Sequence, residues 1–176
     1  RDRSPSRGLG DVYKRQEINP EANITAYQKI YQAETAEEFH MEEYDYIIDA
    51  IDSLKDKADL ILRATALPKE ITFISSMGAA LRRDPFMVRK AEFWKVDGDP
   101  LARALRKKFK KNKTFPRRKF QCVFSEEKPM QNISDQRLVE DEWTSTKAQI
   151  NGSLCHITAT FGMAIAGIVI NHIIER

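Results

Sequence analysis

Two cysteines in 176 residues, Cys122 and Cys155, stand 33 positions apart with no C-x-x-C pair. That spacing gives neither a zinc site nor a disulfide framework, and a reducing cytoplasm is the expected compartment. Both thiols are expected to be buried and structural, Cys122 in a β-rich strand and Cys155 in an apolar helix. The three histidines, His40, His156 and His172, are scattered and suggest no metal cluster. Internal repeats and extended low-complexity tracts are also missing.

Glycine is sparse, and its most suggestive placement fails as a phosphate loop. Gly8 and Gly10 in SRGLGDVYKRQ (residues 6–16) follow RDRSPSR, which has no apolar run. The third glycine of a dinucleotide fingerprint is absent. The eleven residues instead back-translate, without a gap, into a tagmentation adapter used in DNA library preparation. Residues 1–16 are therefore read as a non-native scar and set apart from the fold. The natural protein is expected to begin upstream, leaving 17–176 as a C-terminal portion. Those sixteen residues hold five basic and two acidic side chains, so the chain's net charge of +3 belongs to them.

What remains alternates between strand and helix signals. NITAY (23–27) is a short strand candidate, and TAEEFH (35–40) starts a short helix with Thr35 and Glu38 as a capping box. YDYIIDA (44–50) and ITFISS (71–76) read as buried parallel strands. Between them, SLKDKADLILRATAL puts Leu54, Ala58, Ile61, Leu62 and Thr65 on one helical face, ended by Pro68. PFMVRKAEFWK reads as a longer strand. Asp99 caps a helix with Pro100 first and Leu101, Ala104, Leu105 and Phe109 as its apolar stripe. KFQCVFS (119–125) is a strand, and 130–149 a long polar loop. Short joins throughout predict an α/β domain with a parallel sheet.

The last segment, NGSLCHITATFGMAIAGIVINHII, predicts a helix capped near Asn151 or Ser153. Its uncharged run, Ile157 to Ile170, falls short of the ~20 residues that span a bilayer. Gly162 and Gly167 would permit close packing, so a helix buried against the sheet is expected. A membrane-associated or non-catalytic RNA-binding module is the alternative of another class.

Charge is concentrated in one place. Arg103 to Lys119 holds ten Lys or Arg and no acid, leaving the rest of the chain at net −7. Such asymmetry points to a local polyanion contact rather than a general affinity for nucleic acid. Phe109 belongs to the apolar stripe, whereas Phe115 is free to stack on a base.

The chemistry is concentrated in IIDAIDSLKDK (47–57). A buried strand delivers Asp49 and Asp52 at its carboxyl end, where open α/β sheets bind ligands. Asp52 with Ser53 would also cap the next helix. Capping needs neither a second acid nor Lys57, which from one turn further on could reach a phosphate while a carboxylate holds magnesium.

IIDAIDSLKDKADLI, ITFISSMGAALRRDP, DGDPLARALRKKFKK, CVFSEEKP and NGSLCHITATFGMAIAG, in that order, resemble the ThiF/MoeB (ubiquitin-activating-like) superfamily and its tRNA threonylcarbamoyladenosine dehydratase branch. The resemblance implies the C-terminal portion of a Rossmann-like adenylating domain, with 17–80 ending the nucleotide-binding half and 81–176 forming a substrate and dimer half. It implies ATP and Mg2+ as cofactors and activation of a carboxylate, in this branch that of threonylcarbamoyladenosine at tRNA position 37, which cyclises with loss of water.

Carried over, Asp52 is the catalytic acid for magnesium and phosphate. Ala50, Ile51 and Ser53 flank the nucleotide, Lys57 is the basic position beyond, and Asp49 either supports the site from behind Asp52 or is structural at the strand end. The tRNA would meet Arg103, Arg106, Lys107, Lys110, Lys111, Lys113, Arg117 and Arg118. Partners implied are tRNA and a second copy, with neither DNA nor a membrane. The superfamily alternative adenylates the C-terminal glycine of a ubiquitin-like sulfur carrier, and Cys122 or Cys155 would then be conceivable carriers, although no base stands near either. The family's glycine-rich loop, ribose-binding acid and principal ATP contacts lie upstream of NITAY, so this chain alone is expected to be inactive.

Overall fold

A computed structural model describes residues 17–132, 139–141, 144–148 and 151–176, with backbone alone at 139–141 and 144–148. Residues 1–16, expected above to be a non-native scar, lie outside the described residues. Four strands form the main sheet: β1 (Tyr46–Asp49), β2 (Thr72–Ser76), β3 (Val88–Glu92) and β4 (Gln121–Ser125), in the order β1-β2-β4-β3. β1, β2 and β4 run parallel, and β3 is antiparallel to β4. The register sets Asp49 opposite Ser75 and Ser75 opposite Cys122, so the carboxyl ends of β1 and β2 lie side by side while β4 runs on to Ser125.

Period-two alternation divides the strands between two cores. Phe73, Cys122 and Phe124 face one side, where helix α1 (Leu54–Ala66) and helix α2 (Pro100–Asn112) bring Ala58, Ile61, Ala64, Leu105 and Phe109. Ile74 and Val123 face the other, against Ile157, Phe161 and Ile165 of helix α3 (Cys155–Ile174). Helices on both faces of a mostly parallel sheet make this an α/β fold.

Several expectations need correction. NITAY forms no strand. TAEEFH is a single 3-10 turn, Ala36–Phe39, and the Thr35 hydroxyl donates backward to Ile30 O at 2.9 Å instead of capping. PFMVRKAEFWK is three pieces, with five strand residues between the 3-10 turns Pro85–Met87 and Phe93–Lys95. The expected loop contains a two-stranded antiparallel pair, β5 (Val139–Asp141) with β6 (Thr144–Ala148); residues 133–138, 142–143 and 149–150 lie outside the described ones. On α1 Leu54 is exposed, and on α2 Ala102 rather than Ala104 is buried.

Helix α3 departs furthest. Its N-cap is Leu154, with no side-chain cap bond from Asn151 or Ser153. It is long and apolar enough to cross a membrane, yet it buries one narrow stripe on the sheet. Met163 and Ile174 are each 75% exposed, and nothing lies within 4 Å of a Cβ built on Gly162 or Gly167. Cys155, at its start, is exposed rather than buried; Cys122 is buried, and burial raises its thiol well above the ordinary range.

Candidate functional site

The turn from β1 into α1 is built around a fully buried ion pair. Lys57 Nζ lies 2.8 Å from Asp49 Oδ2, both side chains at 0% exposure. The same ammonium donates to Ile51 O at 2.9 Å. Asp49 also accepts from Ser75 Oγ at 2.6 Å and from the Ile51 amide at 3.0 Å. Buried charges persist when paired and hydrogen-bonded, and these four contacts do both. Lys57 thus fixes the strand-end turn, which corrects its expected place on a phosphate. Asp49 is structural in the same way.

The turn so fixed presents Asp52. Its side chain is exposed and makes no hydrogen bond or ion pair among the described residues. Ser53 takes the capping role by itself: at the N-cap of α1 its Oγ accepts from the Asp56 amide at 3.5 Å and donates to Asp56 Oδ2 at 2.7 Å. Ala50, Ile51 and Asp52 line one wall of a cavity of about 760 Å3 at the carboxyl ends of β1 and β2. Ser53 does not line it. The floor is Met77, Gly78, Ala79 and Ala80, and Thr158, Phe161 and Gly162 of α3 close the far side.

A second buried group shapes that floor: Asp99, expected as a helix cap, also reaches Gly78 and Arg82, which the sequence did not show. Asp99 Oδ1 caps α2 by accepting from Ala102 N at 2.8 Å, while its Oδ2 accepts from Gly78 N at 3.1 Å. A Cβ on Gly78 would stand 3.2 Å from that oxygen, so glycine lets the two segments meet. Arg82, also buried, reaches Asp99 Oδ2 at 3.4 Å. Burial raises the Asp99 carboxyl and lowers the Arg82 guanidinium, and the amides on Asp99 and the pairing between the two oppose it only in part. Next to Arg82, Leu81 is held in the left-handed region (φ 59) by backbone bonds to Gly152 and Met130. Only the Asp99–Pro100 step signals any of this locally; its partners are 21 and 17 positions away.

The basic residues divide into two groups. Arg106 donates to Phe93 O and Val96 O, and Arg118 to the carbonyls of Ala64, Pro68 and Ile71, so both brace the fold. The tRNA contact expected of both thus comes with a structural role. Arg103, Lys107, Lys110, Lys111, Lys113 and Arg117 are exposed. The first four, with Arg106, line a shallow groove of about 570 Å3 along α2. Among the described residues no group of His, Cys, Asp and Glu is arranged to hold a metal by itself.

A mostly parallel sheet with a strand-end acid over a cavity is the arrangement of nucleotide-binding α/β proteins. The ThiF family pattern matches residues 13–176, and the chain belongs to that family. It is 33% identical over 162 residues to the tRNA threonylcarbamoyladenosine dehydratase of Bacillus subtilis, covering 90% of this chain and 62% of that protein. The Haemophilus influenzae enzyme of the same name is 33% identical over 172 residues, with the same coverage. The crystal structure of Escherichia coli TcdA, a tRNA N6-threonylcarbamoyladenosine dehydratase, in complex with AMP superposes with a TM-score of 0.74 at 25% identity, over 96% of this chain and 64% of that one. The chain therefore has the Rossmann-like fold of that family and spans about 62% of the length of the curated relatives it matches.

Proposed function

We propose that a protein of the relatives' full length carrying residues 17–176 uses ATP to activate the carboxylate of threonylcarbamoyladenosine at position 37 of tRNA, then closes the ring with net loss of water. Its residues 81–176 would form the substrate and dimer half, and its compartment would be the cytoplasm. The observation that carries this reading is Asp52, exposed at the end of β1 over a cavity with small-residue walls, in a chain whose relatives bear that name.

A carboxylate is a poor electrophile. Its oxygen displaces pyrophosphate from the α-phosphate, and ring closure then expels AMP carrying that oxygen. Asp52 fits as a single carboxylate ligand of a largely hydrated magnesium ion, because among the described residues no second acid lines the cavity. Such an ion, when bound, offsets the charge that develops on the phosphates. The Asp49–Lys57 pair holds the turn so that Asp52 does not reorient as charge builds. Ala50 and Ile51 present backbone and a small wall to the nucleotide, and Ser53 contributes by fixing the start of α1.

The test is to incubate the protein with ATP, magnesium and threonylcarbamoylated tRNA and to weigh the nucleosides. Loss of one water from the modified adenosine supports the reading. Adenylation of the C-terminal glycine of a ubiquitin-like sulfur carrier, with tRNA untouched, would replace it.

A further inference from the structure

Two aromatic rings stand in solvent beside the basic helix. Trp94 is 39% and Phe115 51% exposed, with ring centroids 6.3 Å apart at 42°. They are not frayed pieces of core, because the backbone under each is fixed. Phe93, beside Trp94, stacks on Phe120 at 5.0 Å, and Arg106 pins the turn through Phe93 O and Val96 O. Phe115 arrives because Lys113 (φ 53) reverses the chain after α2 and the Thr114 amide returns to Phe109 O. Pro116 then restricts Phe115 to extended backbone.

The rings adjoin the groove. At about 100° per residue, Arg106, Lys110, Arg103, Lys107 and Lys111 follow one another around an arc of α2, with Arg106 at the edge nearest Trp94. Lys95, Lys113 and Arg117 are exposed around the pair. The neighbouring carboxylates are engaged locally: Glu92 accepts from the Trp94 amide and Asp97 from the Gly98 amide. A cationic groove with flat rings at its end combines phosphate attraction with stacking on unpaired bases.

We propose that Trp94 and Phe115 form a stacking platform for an unpaired RNA nucleotide whose flanking phosphates lie along the α2 groove. This rests on the reading of tRNA as substrate. Bases inside a duplex stem offer no free face, so the segment recognised is a loop or bulge. An acidic protein would satisfy the cations and leave the rings without a purpose; an anionic membrane would engage both, and the vesicles below set it against RNA.

The experiment measures binding of the 176-residue chain to a single-stranded RNA oligomer, to the same ribose-phosphate chain without bases, to polyglutamate and to phosphatidylserine vesicles, across a salt series. Trp94→Ala and Phe115→Ala are each expected to weaken RNA binding roughly five- to a hundredfold. Both should leave the abasic chain and the salt slope unchanged, and Trp94→Phe should keep most of the affinity. Lys107→Glu with Lys111→Glu should weaken both chains and flatten the salt slope. Matched thermal melts and the exposed Phe115 guard against a folding artefact. Aromatic variants that bind RNA like the parent, or an abasic chain that binds as tightly as RNA, would overturn the platform while leaving the phosphate contact standing. Lysine variants without effect, or tighter binding to polyglutamate or vesicles than to RNA, would overturn the tRNA contact and the platform together.

Discussion

Asp49 and Asp52 are three positions apart and have opposite fates. Asp49 is wholly buried and bonded to Lys57, Ser75 and the Ile51 amide; Asp52 faces the cavity with no bond among the described residues. Removing one member of a buried pair strands the other, so Lys57→Met should cost about 3–5 kcal/mol in urea unfolding. Asp52→Asn should move stability by no more than about 0.5 kcal/mol. The acids were legible in the sequence, and so was the strand end that carries them. Lys57 was not, because a lysine one turn into a helix reads the same whether it reaches a phosphate or folds back on the strand before it. Glu127 gives a pH test. Burial alone would raise its carboxyl, but the Asp84 and Arg83 amides and the cations Arg82 and Arg83 outweigh that and lower it. A depressed pKa stabilises the fold above the unfolded value, about pH 4.3, and that contribution is lost as pH falls below it. The stability gap between the parent and Glu127→Gln should therefore be full at pH 7 and close in acid. A gap that grows in acid would contradict the assignment.

At the scale of elements, α2 is the best-specified helix. Asp99 and Pro100 mark its start in the sequence, and Asp99 caps Ala102 N as that pairing requires. The same carboxylate ties Gly78 and Arg82 to the helix, a link no local pattern could carry because it joins distant positions. Asp99→Ala should thus cost more than an ordinary cap, about 3 kcal/mol or more, since Arg82 is left buried without a partner. Thermal and urea unfolding of the variant check this, and a loss under about 1 kcal/mol would count against it. Elements that lean on β-propensity alone fared worse: NITAY finds no strand to pair with among the described residues, and PFMVRKAEFWK is bent at both ends by side-chain caps from Asp84 and Glu92.

At the scale of the whole molecule, the sheet and its two-sided helical cover were legible because strand alternation and amphipathic stripes agree on the same two cores. The exposure of α3 was not. A run without charge declares that a helix is apolar all round and does not say which faces find partners. In the fold Ile157, Phe161 and Ile165 meet the sheet, while Met163, Ile170, Ile173 and Ile174 face outward. An apolar patch of this kind promotes association. Met163→Lys with Ile170→Lys and Ile173→Lys should reduce self-association in sedimentation without lowering the melting temperature; unchanged association would place the contact elsewhere. The central claim, that Asp52 serves ATP-dependent dehydration of the tRNA nucleoside, is tested most directly by one comparison. The full-length protein and its Asp52→Ala variant are given ATP, magnesium and threonylcarbamoylated tRNA, and loss of water is followed by mass spectrometry. The account predicts dehydration by the parent and a fall of roughly a hundredfold or more in the variant at equal thermal stability. Undiminished dehydration by the variant would contradict it.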